Sequence, residues 1–225
     1  DYQKMKVFGE QVTSPFSIQN ICNMGLLYDK GAGIWFSDYI MIKIFKEINE
    51  NLKLIDMEFI HSDGVINEEE IIKSCFTHLS CIHSEDICLD CLNTIDTGEI
   101  ITYKTKHYRF QRGAFIFISV RLGLSDIDSI YTQSILHLFK MPHNLGIIGG
   151  QTNSALYFIG ESADRLICLD PHFNQNTSLN PDTYDVRYLY EIDVTKISPA
   201  FTTGFYFRNC EEYKQLMISF ANHSS

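Results

Sequence analysis

RLICLDPHFNQNT, residues 165–177, closes a strand-like apolar run with Asp170, Pro171 and His172. On an extended strand, side chains two positions apart point to the same face, which sets a carboxylate beside an imidazole. Pro171 stiffens the backbone between them. A carboxylate so placed holds one ring nitrogen protonated and leaves the other free to take a proton from a thiol. Asp-Pro after a strand is also a common turn opener. Alone, the tripeptide is either half of a nucleophilic triad or a turn.

Working outward, ALYFIG (155–160) and DRLICLD (164–170) flank the short segment ESA and read as a hairpin. AFIFISV (114–120) is a buried strand, TTGFYF (202–207) a last strand and LKLIDMEFI (52–60) an earlier one. Ser17 caps the helix IQNICNMGLLY, with Cys22 on its apolar stripe. After the break GAGIW (31–35), Ser37 caps a second helix over 37–50. NEEEIIKSCF (67–76) is a short helix with acids in its first turn. Asp126 caps an amphipathic helix over 126–139, and a final helix runs from Cys210 to Ala221. Residues 77–109, polar and cysteine-rich, read as an irregular insertion. Helices come first and strands cluster late, so the expected class is α+β.

The chain has 225 residues, a formal net charge of −10 and 45% apolar residues, enough to bury a sizeable core. No basic surplus exists to displace counterions from a phosphate backbone, which excludes a nucleic-acid partner. An acidic surface favours a neutral or basic protein partner instead. The apolar runs are far below the roughly 20 residues that span a bilayer, so no transmembrane segment is expected. The N-terminus lacks an apolar signal region and begins with Asp1, which suggests a fragment or processed chain. The seven cysteines then read as reduced thiols in a cytoplasmic protein.

Five motifs, the first in two parts, resemble one family in order. SPFSIQNICNMG is followed by GAGIWFS, RLGLSDIDSIY (121–131), LGIIGGQTNSALYFIG (145–160), LICLDPH (166–172) and TTGFYFRNCEEY. Together, from about residue 14 to 221, they are similar to the autophagins, the autophagy-related cysteine proteases. The resemblance implies a papain-like cysteine protease fold, with residues 1–225 forming most of one protease domain. It implies that Asp170 is the orienting acid and His172 the general base. Trp35 and the segment Gly149, Gly150, Gln151, Thr152, Asn153, Ser154 and Ala155 correspond to the pair covering the family's active site. Arg121 and Leu124 match its tail-binding channel. The implied substrate is the C-terminal tail of the ubiquitin-like autophagy modifier (the Atg-eight and GABARAP kind), cut after a glycine or released from phosphatidylethanolamine. No cofactor is implied.

Two departures stand out. Thr152 replaces a proline found in many autophagins, which suggests a looser covering loop. The family's nucleophile sits in a Gly-Trp-Gly-Cys motif upstream of the Ser17 helix, and that motif is absent from this sequence. Cys22 reads as a small core hydrophobe, Cys168 is fixed on the strand before Asp170, and Cys210 reads as a capping or packing residue. The chain is therefore expected to lack the nucleophile helix and to be inactive alone, with an exposed apolar groove beside Asp170 and His172. The alternative is a protease-like module that binds the modifier without cutting it. Cys81, His83, Cys88 and Cys91 offer one zinc-ligand spacing without a second pair, and a metal site is not expected.

Overall fold

The structure, a computed structural model, describes residues 7–9, 13–53, 56–79, 98–151, 154–172 and 189–223. Thr152, Asn153 and the cysteines at 81, 88 and 91 lie outside them, as does His83. Two helices open the described chain: α1, Ile18–Gly25, and α2, Asp38–Leu52. Both start where the serines direct. Ser17 Oγ accepts the Asn20 N–H at 3.2 Å, and Ser37 Oγ accepts the Ile40 N–H at 3.4 Å. Phe16, Ile44 and Ile48 pack these helices together.

Then come β1 (Met57–Asp63), α3 (Glu68–Cys75), β2 (Phe76–His78), β3 (Ile100–Tyr103), β4 (Lys106–Phe110) and β5 (Gly113–Arg121). They are followed by α4 (Thr132–Leu138), β6 (Asn144–Gln151), β7 (Ser154–Ser162), β8 (Arg165–Leu169), β9 (Tyr190–Asp193), β10 (Ala200–Phe207) and α5 (Cys210–His223). Seven strands form one sheet in the order β1-β5-β10-β6-β7-β8-β9. Only the β1–β5 pair is parallel, and its crossover carries α3 and a small sheet, β2-β4-β3. The α+β expectation is met.

Three local expectations are corrected. The early strand is β1, starting at Met57, because α2 runs on to Leu52 and stops at Lys53 in the left-handed conformation (φ 47°). The segment expected to be irregular over 77–109 contains a regular hairpin, β3–β4, turning through Lys104 and Thr105 with φ 46° and 67°. The helix expected from Asp126 begins later. Asp128, not Asp126, caps the short 3-10 turn Ser129–Tyr131 that leads into α4.

One face of the sheet buries most of the core. Ile116, Phe205 and Phe207 meet α3 and α5 through Ile72, Tyr213 and Leu216. Ile147, Phe158, Leu166 and Cys168 meet α4 through Ile135 and Leu136. Phe158 is wholly buried there, so Phe158→Ala is expected to cost about 3–5 kcal/mol, measurable by denaturant unfolding. The opposite face of the sheet receives α2.

Candidate functional site

Strand direction sets where the expected site residues lie. β5 and β6 end, and β10 and β7 begin, where Arg121 pairs with Ala200 and Gln151 with Ser154. β8 finishes at the same end, with Leu169 opposite Tyr157, so Asp170 and His172 leave the sheet beside the β6–β7 tip. The Trp35 loop reaches this end from the helical layer.

The Asp170–His172 geometry is closer than strand spacing alone provides. β8 has already ended at Leu169, and the chain turns at Pro171 and His172. Asp170 Oδ1 accepts the His172 backbone N–H at 2.9 Å and lies 2.6 Å from the ring Nδ1. The two sequence readings, turn and acid–base pair, are one structure. The Asp turn closes locally and thereby aims the ring. The His172 backbone N–H, and then its ring, hold the Asp170 carboxyl below the usual carboxylate range. An ionised carboxylate only accepts, so Nδ1 carries the proton and Nε2 presents a lone pair. The His172 side chain is about half exposed, which leaves Nε2 open to a reactant.

Trp35 lies close to the β6–β7 tip although more than a hundred residues separate them. Both line a cavity of about 360 Å³, together with Asp38, Tyr39, Ser119 and Thr202. The indole is 67% exposed, so it is a surface ring over a cleft and not a core residue. The segment expected to be a covering loop is mostly strand. Gly149, Gly150 and Gln151 belong to β6 and pair with Leu156, Ala155 and Ser154. The Ser198 N–H donates to the Gly150 carbonyl at 2.7 Å, which ties the tip to the segment before β10. Thr152, on which the expectation of a looser cover rests, lies outside the described residues.

Asp170 and His172 are not among the residues that line this cavity, and the remaining expected residues do not line it either. Arg121 folds back to donate to the Gly123 and Leu124 carbonyls at 3.1 and 2.8 Å, and Leu124 is 89% exposed. Neither lines the Trp35 cavity. An apolar groove of about 820 Å³ does exist, but Ile118, Val120, Ile135, Leu138, Phe201 and Met217 line it, away from the expected place beside His172.

Burial pushes Cys75 up to about 12 and raises Cys168 and Cys210 as well, the wrong direction for a thiolate. The Cys168 thiol donates to the Tyr190 carbonyl at 3.6 Å, and Cys210 packs in the core under α5. Cys22 is only half-buried on α1, less enclosed than its stripe suggested. Among the described residues no group of His, Cys, Asp or Glu could hold a metal ion, and no helix is long and apolar enough to cross a membrane.

Comparison with known proteins shows the family. The family model described as the peptidase C54 catalytic domain matches residues 2–219. The chain is similar to cysteine protease ATG4D of Xenopus laevis, 28% identical over 222 residues, covering 94% of this chain and 42% of that protein. Human cysteine protease ATG4A is 27% identical over 229 residues, covering 95% of this chain and 55% of the relative. Chicken cysteine protease ATG4B is 26% identical over 223 residues, with 94% and 56% covered. The chain thus spans about half the length of the curated relatives it matches.

Proposed function

The chain belongs to the peptidase C54 catalytic domain family, whose fold is papain-like, and from that premise we propose that it carries the acid–base half of a thiol protease. The substrate in this reading is the C-terminal tail of a ubiquitin-like autophagy modifier, free or conjugated to phosphatidylethanolamine. The setting is cytoplasmic. The observation that carries the reading is the 2.6 Å Asp170–His172 pair at the sheet end where Trp35 faces the β6–β7 tip.

The chemistry follows from that pair. His172 Nε2 takes the proton of a cysteine thiol, and the thiolate attacks the carbonyl carbon of a glycyl residue. The imidazolium, held by the Asp170 carboxylate, returns the proton to the leaving nitrogen as the C–N bond breaks. Water, deprotonated by the same Nε2, then cleaves the thioester. A glycine at the cut leaves the carbonyl carbon unhindered by a side chain. In this reading the thiol comes from a segment N-terminal to Asp1 in a Gly-Trp-Gly-Cys context, and the 225 residues alone are inactive.

The test pairs the complete protein with modifier extended beyond its glycine. Mass spectrometry is expected to find a product ending at that glycine, and iodoacetamide to abolish it. The 225-residue chain should give no product. Cleavage elsewhere, or cleavage that survives thiol alkylation, defeats the proposal.

A further inference from the structure

Among the described residues, the cleft under Trp35 holds a single carboxylate. Asp38, the first residue of α2, lines it together with neutral groups from Ser119, Thr202, Ser198 and the β6 tip. Behind that carboxylate runs a chain of three polar side chains, each from a different strand. The Thr202 hydroxyl donates to Asp38 Oδ2 at 3.1 Å, Ser119 Oγ lies 2.8 Å from Thr202 Oγ1, and His61 Nε2 lies 2.9 Å from Ser119 Oγ.

These bonds obey one direction. Thr202, donating to the carboxylate, accepts from Ser119, and Ser119 accepts from the Nε2–H of His61. Burial lowers the His61 pKa, with Lys43 adding to the effect and Asp63 and Glu70 opposing it, so the ring is neutral and one Nε2 proton suffices. The array is not a second hydrolytic triad. Asp63 approaches the same Nε2, at 3.8 Å, and not the nitrogen an orienting acid would hold. What the array does is direct its protons toward Asp38.

That support is one-sided. Burial still raises the Asp38 pKa, only opposed by the Thr202 bond and the residue's own backbone N–H, and no cation among the described residues contributes. On the open side of the cleft stands the exposed Trp35 ring, whose face attracts cations. The net charge of −10 draws basic ligands toward the surface as a whole.

We propose that Asp38 and Trp35 form a subsite for the ammonium or guanidinium group of a Lys or Arg side chain on an extended peptide, with the Thr202–Ser119–His61 relay fixing the carboxylate. This rests on the reading of the cleft as a peptide site and names the side chain it selects. Ligand charge would complete the half-buried carboxylate, as a charged hydrogen bond does when it replaces water.

Trp35 is the only tryptophan in the chain, so its emission reports occupancy directly. A short glycine-rich peptide carrying one Arg is titrated against the same peptide with neutral citrulline at that position. The Arg peptide is expected to bind about tenfold more tightly. Asp38→Asn, which keeps the oxygen that accepts from Thr202, should erase the difference, and Thr202→Val should reduce it. Unfolding midpoints of both variants establish that they are folded, and the Arg-against-citrulline comparison needs no variant at all. Equal affinities in the unaltered chain, or a preference surviving folded Asp38→Asn, overturn the subsite while leaving the peptide cleft standing. Silence toward both peptides removes the cleft reading as well.

Discussion

His172→Ala in the complete protein is expected to lower modifier cleavage by about 10²–10⁴-fold while modifier binding changes little. The reason is the position of the ring. Its Nδ1 is committed to Asp170 at 2.6 Å, and only Nε2 remains to move a proton in the chemical step. Cleavage kinetics and a binding titration on one preparation separate the two effects. Cleavage unchanged by the substitution takes His172 out of the mechanism. Asp170→Asn should also slow cleavage strongly, because an amide neither fixes the Nδ1–H tautomer nor stabilises the imidazolium. The pH dependence has a definite sign. Bonds to His172 lower the Asp170 pKa, so the ionised form is favoured above the unfolded value and its contribution is lost only as pH falls through the lower folded value. In Asp170→Asn that loss of stability on the acid side is expected to disappear, which unfolding midpoints measured against pH would show.

How much of this the sequence discloses depends on the range of the interaction. Ser17 and Ser37 are legible because a cap bonds a backbone group three residues away, and Asp170–His172 because the partners are two apart. The β3–β4 hairpin is hidden for a physical reason. Its turn residues, Lys104 and Thr105, adopt positive φ without the glycine or asparagine that normally announces such a turn. The Asp126 cap fails in favour of Asp128 because both are acids in one short run, and only the path of the chain chooses between them. The proximity of Trp35 to Gly150 follows from resemblance and not from any spacing. The relay from Asp38 to His61 carries no sequence signal, since its partners are separated by 164, 83 and 58 residues and meet only where a helix and three strands pack together.

Gly150→Ala tests whether the cleft wall is built or merely permitted. Gly150 has φ +154°, and a Cβ there would fall 1.9 Å from the Ser154 carbonyl oxygen and 3.0 Å from the Ala155 Cα. Both obstacles are backbone of the paired strand, so a side-chain shift cannot relieve them. The β6–β7 tip must open, and the Ser198 bond to the Gly150 carbonyl must lengthen with it. A strained residue of this kind costs about 1–3 kcal/mol, before any clash is added. Gly160→Ala in the same β7 strand is the matched control. Its Cβ would meet only the Ile167 Cδ1 at 3.9 Å, an ordinary contact. That variant is expected to be neutral or slightly stabilising, since alanine restricts the unfolded chain. Thermal unfolding should fall by about 2–4 °C per kcal/mol for Gly150→Ala and hold for Gly160→Ala. Because Trp35 lines the same cavity, its emission should shift in the first variant and not in the second. Equal behaviour of the two would mean that the tip yields without strain, and that the wall of the cleft is not held by Gly150.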